Sequence, residues 1–208
     1  MWTLFGSAGS GSAAVEMALE RCGVPCRVVR ASTWEDDSAR AELLAVNPLG
    51  QIPTLQTDEG VITESAAILI HLGLAHPASG LLPADAAARA QALRGLVFIA
   101  ANCYAAIGVI DYPERWCAGG DKAVHDIVRA GARARLHLYW ELFADQFKGQ
   151  PFLGGAEPGA LDILAAVVSR WSGARAHLVA RRPELHATIE RVQVHTALAP
   201  VFARHWPG

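Results

Sequence analysis

The rhythm of hydrophobic and polar positions changes once along this chain. The first third mixes short apolar runs with helical stripes, and the remainder reads at helical spacing only. Residues 2–5 form an apolar run of strand length, followed by a loop of Gly, Ser and Ala over residues 6–12. A helix is predicted from about residue 13 to 22, with Val15, Ala18, Leu19 and Cys22 on one face and Gly23 as its stop. Residues 26–29 read as a second strand. Thr54–Gln56 and Val61–Thr63 read as a hairpin around Asp58-Glu59-Gly60, and residues 65–74 as another helix. Strand, helix, strand, loop, strand, strand, helix describes a small α/β unit.

Residues 77–86 carry two prolines, a Gly and a Ser, and read as a linker between a first domain (1–76) and a second (87–208). Past the linker the strand signals stop. Leu93, Leu96, Val97, Ala100, Ala101 and Tyr104 form one apolar stripe at helical spacing. Asp111-Tyr112-Pro113 and Gly119-Gly120 interrupt the pattern. Further helices are predicted near residues 124–147 and 159–172, with residues 183–194 and the region of Pro200 supplying one or two more. Alanine is abundant here, which favours helix formation and close packing.

Composition narrows the function. Of 208 residues, 52% are hydrophobic and 18% charged, enough for a sizeable core, and a net charge of -2 gives no sign of a nucleic-acid partner. Cys22, Cys26, Cys103 and Cys117 form no C-x-x-C pair, so neither a zinc site, a disulfide framework nor a dithiol redox motif is indicated. They are expected to be reduced, mostly buried thiols. The eight histidines show no paired ligand spacing on a helix face. His137, His177 and His195 are expected to be packed or solvent-facing rather than bound to metal. The chain opens directly on a strand, without the charged and apolar regions of a signal peptide. No apolar run approaches the ~20 residues of a membrane helix. A soluble, cytoplasmic protein is expected.

The densest information lies in Asn47-Pro48-Leu49-Gly50-Gln51-Ile52-Pro53-Thr54-Leu55 and, nine residues on, Glu64-Ser65. A proline cannot donate to a sheet ladder, so Pro53 belongs at a strand start or edge. A cis Ile52–Pro53 bond would turn the chain there and leave the N–H and C=O of Ile52 free. A short peptide in extended form would pair with them. Ser65 opens a helix directly after a strand, and its hydroxyl and the first N–H groups form a carboxylate site. Glu64 can accept from an ammonium group, and the Gln51 amide can reach a ligand end.

With the Gly/Ser loop, T-E-S-A-A-I-L-I-H-L, the linker and the helical half, this motif resembles the cytosolic glutathione transferases over essentially the whole chain. Arg182-Pro183-Glu184-Leu185 and Arg191-Val192 resemble the family's C-terminal helix. The resemblance implies a thioredoxin-like α/β N-terminal domain followed by an all-α C-terminal domain, a homodimer, and glutathione as co-substrate, with no metal. It implies that Gln51, Ile52, Pro53, Glu64 and Ser65 bind glutathione.

A free thiol has a pKa near 8.5. Lowering it by about two units takes roughly 2.7 kcal/mol of preferential interaction with the anion. A hydroxyl donor plus a helix N-terminus supplies a contribution of that size. The family places Tyr, Ser or Cys after the first strand. Here the loop offers Ser7, Ser10 and Ser12, of which Ser10 is preferred, with Ser12 close behind as catalytic candidate. The family's usual Ser or Thr cap before the buried helix near residue 160 is Gly159 here, and Asp162 is read as structural. Tyr104, Tyr112 and Trp116 are candidates for an apolar electrophile pocket. Trp34 either covers the glycine end of the ligand or covers the sheet. Two function classes follow: a glutathione-dependent enzyme that conjugates an electrophile or reduces a peroxide or disulfide, or a binding protein of the same fold with little turnover.

Overall fold

The computed structural model describes every residue except Thr33, Asp36 and Gly208. The first half is built from β1 (Trp2–Gly6), α1 (Ser12–Cys22), β2 (Cys26–Arg30), α2 (Arg40–Val46), β3 (Thr54–Gln56), β4 (Val61–Thr63) and α3 (Ser65–Ala75). Four strands form one sheet in the order β2-β1-β3-β4. β1 and β2 are parallel, with Leu4 opposite Val28, while β3 runs antiparallel to both β1 and β4. Two parallel neighbours need a crossover connection, and α1 is that crossover. Gly23 ends it in the left-handed conformation (φ 65°), and the Val24 N–H returns to Leu19 O at 3.0 Å. That pattern caps the last turn and points the chain back toward β2.

The second half is helical: α4 (Ala86–Phe98), a π-helical turn (Ile99–Tyr104), α5 (Ala105–Asp111), α6 (Lys122–Gln146), α7 (Ala160–Val168), α8 (Ala174–Arg181), α9 (Pro183–Gln193) and α10 (Ala199–His205). Asp85 and Asp121 cap α4 and α6, accepting from Ala88 N at 2.8 Å and Val124 N at 3.0 Å. α7 is buried along its whole length. It packs against α1, α3, α4 and α9, so it is the axis of the molecule. Its first turn is held by Asp162. This carboxylate, 1% exposed, accepts from Leu153 N (2.6 Å), Gly154 N (2.8 Å) and Gly159 N (3.0 Å). Glycine at 159 supplies no side-chain acceptor, so Asp162, from inside the helix, binds the N–H of the cap residue and ties the preceding loop at Leu153 and Gly154 to it.

Three sequence expectations are corrected. Helix α2 lies in a stretch read as loop; it spans seven residues and buries only Leu43, too little for a periodic signal. The helix expected over 159–172 stops at Val168. Ser172 (φ 56°) and Gly173 (φ 80°) reverse the chain, and α8 follows. The stripe through Val97 and Ala101 is broken, since Val97 is 55% exposed while Ile99, Cys103, Ile107 and Ile110 are buried. The π turn adds a residue to one revolution and shifts the inward face. Asn102 Nδ2 donates to Phe98 O at 3.0 Å within this turn.

By length and composition alone Ala86–Asp111, running as one helix, could cross a membrane, although no uninterrupted apolar run of that size stands in the sequence. Here its apolar face packs on α6 and α7. Of the four cysteines, only Cys103 is fully buried, and burial pushes its thiol up to about 12. Cys22, Cys26 and Cys117 are half-buried rather than enclosed, so the expectation of mostly buried thiols holds for one residue. His177 and His195 face carboxylates of Glu141 (2.8 Å) and Glu157 (3.1 Å), and His137 stacks on His177.

Candidate functional site

A cleft of about 950 Å³ lies between the two halves. Its first-half wall comes from three loops at one end of the sheet. The loop before β3 carries the peptide-like surface. Ile52–Pro53 is cis. Asn47, 4% exposed, fixes this loop: its Nδ2 donates to Gln51 O and Thr54 Oγ1, both at 3.0 Å, and its Oδ1 accepts from Leu49 N at 3.1 Å. Thr54 Oγ1 in turn donates to Gln51 O at 2.8 Å. These bonds consume the polar groups around Ile52, yet among the described residues the Ile52 N–H and C=O pair with nothing. An unpaired donor and acceptor on one residue are what an added extended strand requires.

The second loop is the β4–α3 junction. Glu64 adopts φ 67°. For a residue with a side chain that conformation costs about 1–3 kcal/mol and persists only where the surroundings impose it. The result places Ser65 at the first turn of an 11-residue helix without a side-chain cap. Free N–H groups and the helix dipole there favour an anion.

The third is the Gly/Ser loop ahead of α1. Ser10 borders the cleft and is 6% exposed, while Ser12 is fully buried beneath it and forms no part of the cleft wall. The three serines are laced together. Ser10 Oγ donates to Ser7 O at 2.7 Å, Ser10 Oγ and Ser12 Oγ lie 2.9 Å apart, and the Ser7 N–H donates to Ser12 Oγ at 3.2 Å. The Ser7 hydroxyl donates to Glu35 at 3.0 Å. Glu35 also accepts from Arg30 (2.7 Å) and Ser32 (2.7 Å), and these hydrogen bonds, Arg30's foremost, hold its carboxyl at about 2. The N–H of Gly11 finds no acceptor among the described residues.

The second-half wall is aromatic. Tyr104, Tyr112 and Trp116 all border the cleft, as the sequence leads one to expect. Trp34 borders it from the first half and is 57% exposed. Arg115 lies over the Tyr112 ring at 4.0 Å, and Trp171 meets Tyr104 with ring centroids 5.7 Å apart. Sequence reasoning missed Trp171, Arg115 and Leu164. Trp171 stands just before the Ser172-Gly173 reversal, and that dipeptide was the available signal of a helix end. Burial raises the Tyr104 phenol above its ordinary pKa, the Ser65 hydroxyl lowers it, and the Glu64 carboxylate raises it. Tyr104 therefore stays protonated across the neutral range. Among the described residues no group of three or more His, Cys, Asp or Glu is arranged to hold a metal.

The arrangement joins a strand-like edge, a helix start without a side-chain cap and a second helix N-terminus on one wall to an aromatic surface on the other. Comparisons with known proteins point the same way. Residues 12–74 match the family model for the glutathione S-transferase N-terminal domain. An uncharacterized GST-like protein of Escherichia coli (strain K12), YncG, is 31% identical over 175 residues, 82% of either chain. A maleylacetoacetate isomerase of Rhizobium meliloti (strain 1021) is 36% identical over 92 residues, 44% of this chain and 43% of that one. The crystal structure of a glutathione transferase homolog from Sulfitobacter, with bound glutathione, superposes with a TM-score of 0.84 over 97% of this chain and 96% of that one, at 22% identity. By its sequence relatives and its fold, the chain belongs to the glutathione S-transferase family.

Proposed function

We propose that this protein is a glutathione transferase that stabilises the glutathione thiolate for attack on a small electrophile. The observation that carries this reading is the convergence, in one cleft, of the unpaired Ile52 main chain, the uncapped start of α3 at Ser65 and the start of α1 at Gly11. Glutathione has the matching sequence of groups. Its γ-glutamyl carboxylate meets Ser65, and its ammonium group meets Glu64. Its cysteinyl main chain pairs with Ile52 beside Pro53, and Gln51 reaches the glycine end. That placement directs the sulfur to the α1 N-terminus, where Ser10 contacts it and Ser12 props the loop from beneath. Sulfur then forms a bond to the electrophilic carbon, and the leaving group departs with its electron pair. Tyr104, Tyr112 and Trp116 hold the apolar part of the electrophile. The reading carries a homodimer, checked by light scattering, and a cytoplasmic place of action, where glutathione is abundant and thiols stay reduced.

One observation favours a second reading, a glutathione-binding protein with little turnover. The Ser10 proton is already donated to Ser7 O at 2.7 Å and must leave that bond to serve a thiolate. Titration calorimetry with glutathione followed by a conjugation assay separates the two. Binding plus turnover that falls at least tenfold in Ser10→Ala supports the transferase. Binding with no turnover selects the binder, and no binding removes both.

A further inference from the structure

We infer that the hydroxyl of Tyr104, delivered from the helical half, is a hydrogen-bond donor to the sulfur of bound glutathione. This rests on the glutathione site proposed above and adds a catalytic residue to it.

The geometry comes from Gly11. A Cβ built on this residue would collide with Tyr104 Oη and would lie 3.4 Å from Ser65 Oγ. The phenol oxygen therefore rests against the main chain at the very start of α1, next to the Gly11 N–H that has no acceptor among the described residues. Gly11 itself is in the ordinary right-handed region (φ -62°, ψ -16°), so its backbone does not call for glycine. Only the approach of Tyr104 does. Tyr104 closes the π-helical turn, whose extra residue swings the inward face of this helix around toward the first half. The Trp171 ring meets the Tyr104 ring with centroids 5.7 Å apart and planes tilted by 46°.

The chemistry is a donor placed where charge develops. The three serine hydroxyls of the loop are engaged with one another, with Ser7 O and with Glu35. The Tyr104 phenol, bordering the cleft with its oxygen beside Gly11 and the Ser65 hydroxyl as its neighbour, adds a donor that the loop's own serines do not supply. Both donors, this phenol and the Gly11 N–H, lie in the same cleft as Ile52 and Ser65, so an extended peptide along Ile52 with its acidic end at Ser65 brings its thiol to them.

The test reads the thiol directly. Thiolate absorbance of the glutathione complex is titrated against pH for the wild type, Tyr104→Phe and Gly11→Ala, with affinity measured in parallel by calorimetry. Tyr104→Phe keeps the ring and its packing, and should raise the apparent thiol pKa by about one unit, a roughly tenfold fall in the thiol's acid dissociation constant. The pH–rate profile for conjugation should move by the same amount, while glutathione affinity at high pH changes less than about threefold. Gly11→Ala displaces the phenol oxygen and should reproduce the shift. Combined with Tyr104→Phe it should add nothing further. An unchanged thiol pKa in Tyr104→Phe, with binding intact, overturns the inference and leaves the glutathione site standing. Failure of the wild type to bind glutathione overturns the site itself.

Discussion

Replacing Asp162 with alanine tests how α7 is anchored, and its consequence follows from distances alone. The carboxylate is 1% exposed and accepts three main-chain N–H bonds of 2.6, 2.8 and 3.0 Å. A hydrogen bond to a charged group contributes about 1.5–3 kcal/mol, so three at the lower limit give about 4.5 kcal/mol. Against this stands the cost of burying the charge, visible in the upward displacement of the Asp162 pKa by desolvation. In the alanine variant three main-chain N–H groups lose their acceptor, at about 1–3 kcal/mol each, so near the lower limit a net loss of ~3–4 kcal/mol is expected. For a chain of this length each kcal/mol lowers Tm by about 2–4 °C, so the variant should melt ~6–16 °C lower. Urea unfolding followed by circular dichroism and tryptophan fluorescence gives the free energy directly. The m-value should stay unchanged, because the surface exposed on unfolding is the same. Asp162→Asn retains shape and one acceptor but turns an NH2 toward donors, and should recover only a fraction. A loss below about 1 kcal/mol in the alanine variant would refute the assignment of Asp162 as the polar anchor of this helix.

Asn47→Ala removes two donated bonds and one accepted bond from a buried position, so it should cost ~2–3 kcal/mol in denaturant unfolding. It should also weaken glutathione binding about tenfold in calorimetry, because it frees the loop that presents Ile52; unaltered affinity would separate that loop from the ligand. The Glu35 carboxyl gives a pH prediction. Its folded-state pKa is depressed from 4.5 to about 2 by Arg30, Ser32 and Ser7. A depressed acid stabilises the fold above its unfolded pKa, and that contribution is lost as pH falls through the folded value. The brace on the Ser7 side of the loop should therefore weaken between pH 4.5 and about 2. A carbon-detected NMR titration of Glu35 should show a midpoint near 2, and a midpoint at the ordinary glutamate value would discard the network.

The legible parts of the fold were those whose signal is local. β1, α1 with its Gly23 stop, the hairpin of β3 and β4, and α3 stand within a residue or two of where periodicity and punctuation place them. α2 escaped because a seven-residue helix with one buried side chain carries almost no period. The stripe through Val97 and Ala101 misled for a different reason. Fixed 3.6-residue spacing cannot represent a π turn, so beyond Ile99 the stripe picks out the exposed Ala101 and passes over the buried Cys103.

The candidate site divides along the same line. On its first-half wall each partner lies within a few residues of the next: Asn47 bonds to Gln51 and Thr54, and Glu64 turns the chain that presents Ser65. A short string of residue types can encode such a wall, because no distant element has to be placed first. The facing wall is gathered from residues 100–116, 164 and 171, which meet only after a π turn and the reversal at Ser172-Gly173 have set three helices against one another. Here Trp171, Arg115 and Leu164 carry no mark that separates them from core or surface residues. Even Tyr104, which the sequence nominates for its aromatic face, reaches Gly11 through its hydroxyl. That contact joins two positions 93 residues apart in the chain (104 − 11), and no local pattern encodes it. The wall facing the peptide can therefore remain fixed in sequence while the facing wall is rebuilt by small changes in helix register. On the proposed function, the choice of electrophile follows from how the helices pack, and the binding of the peptide from how one loop is tied.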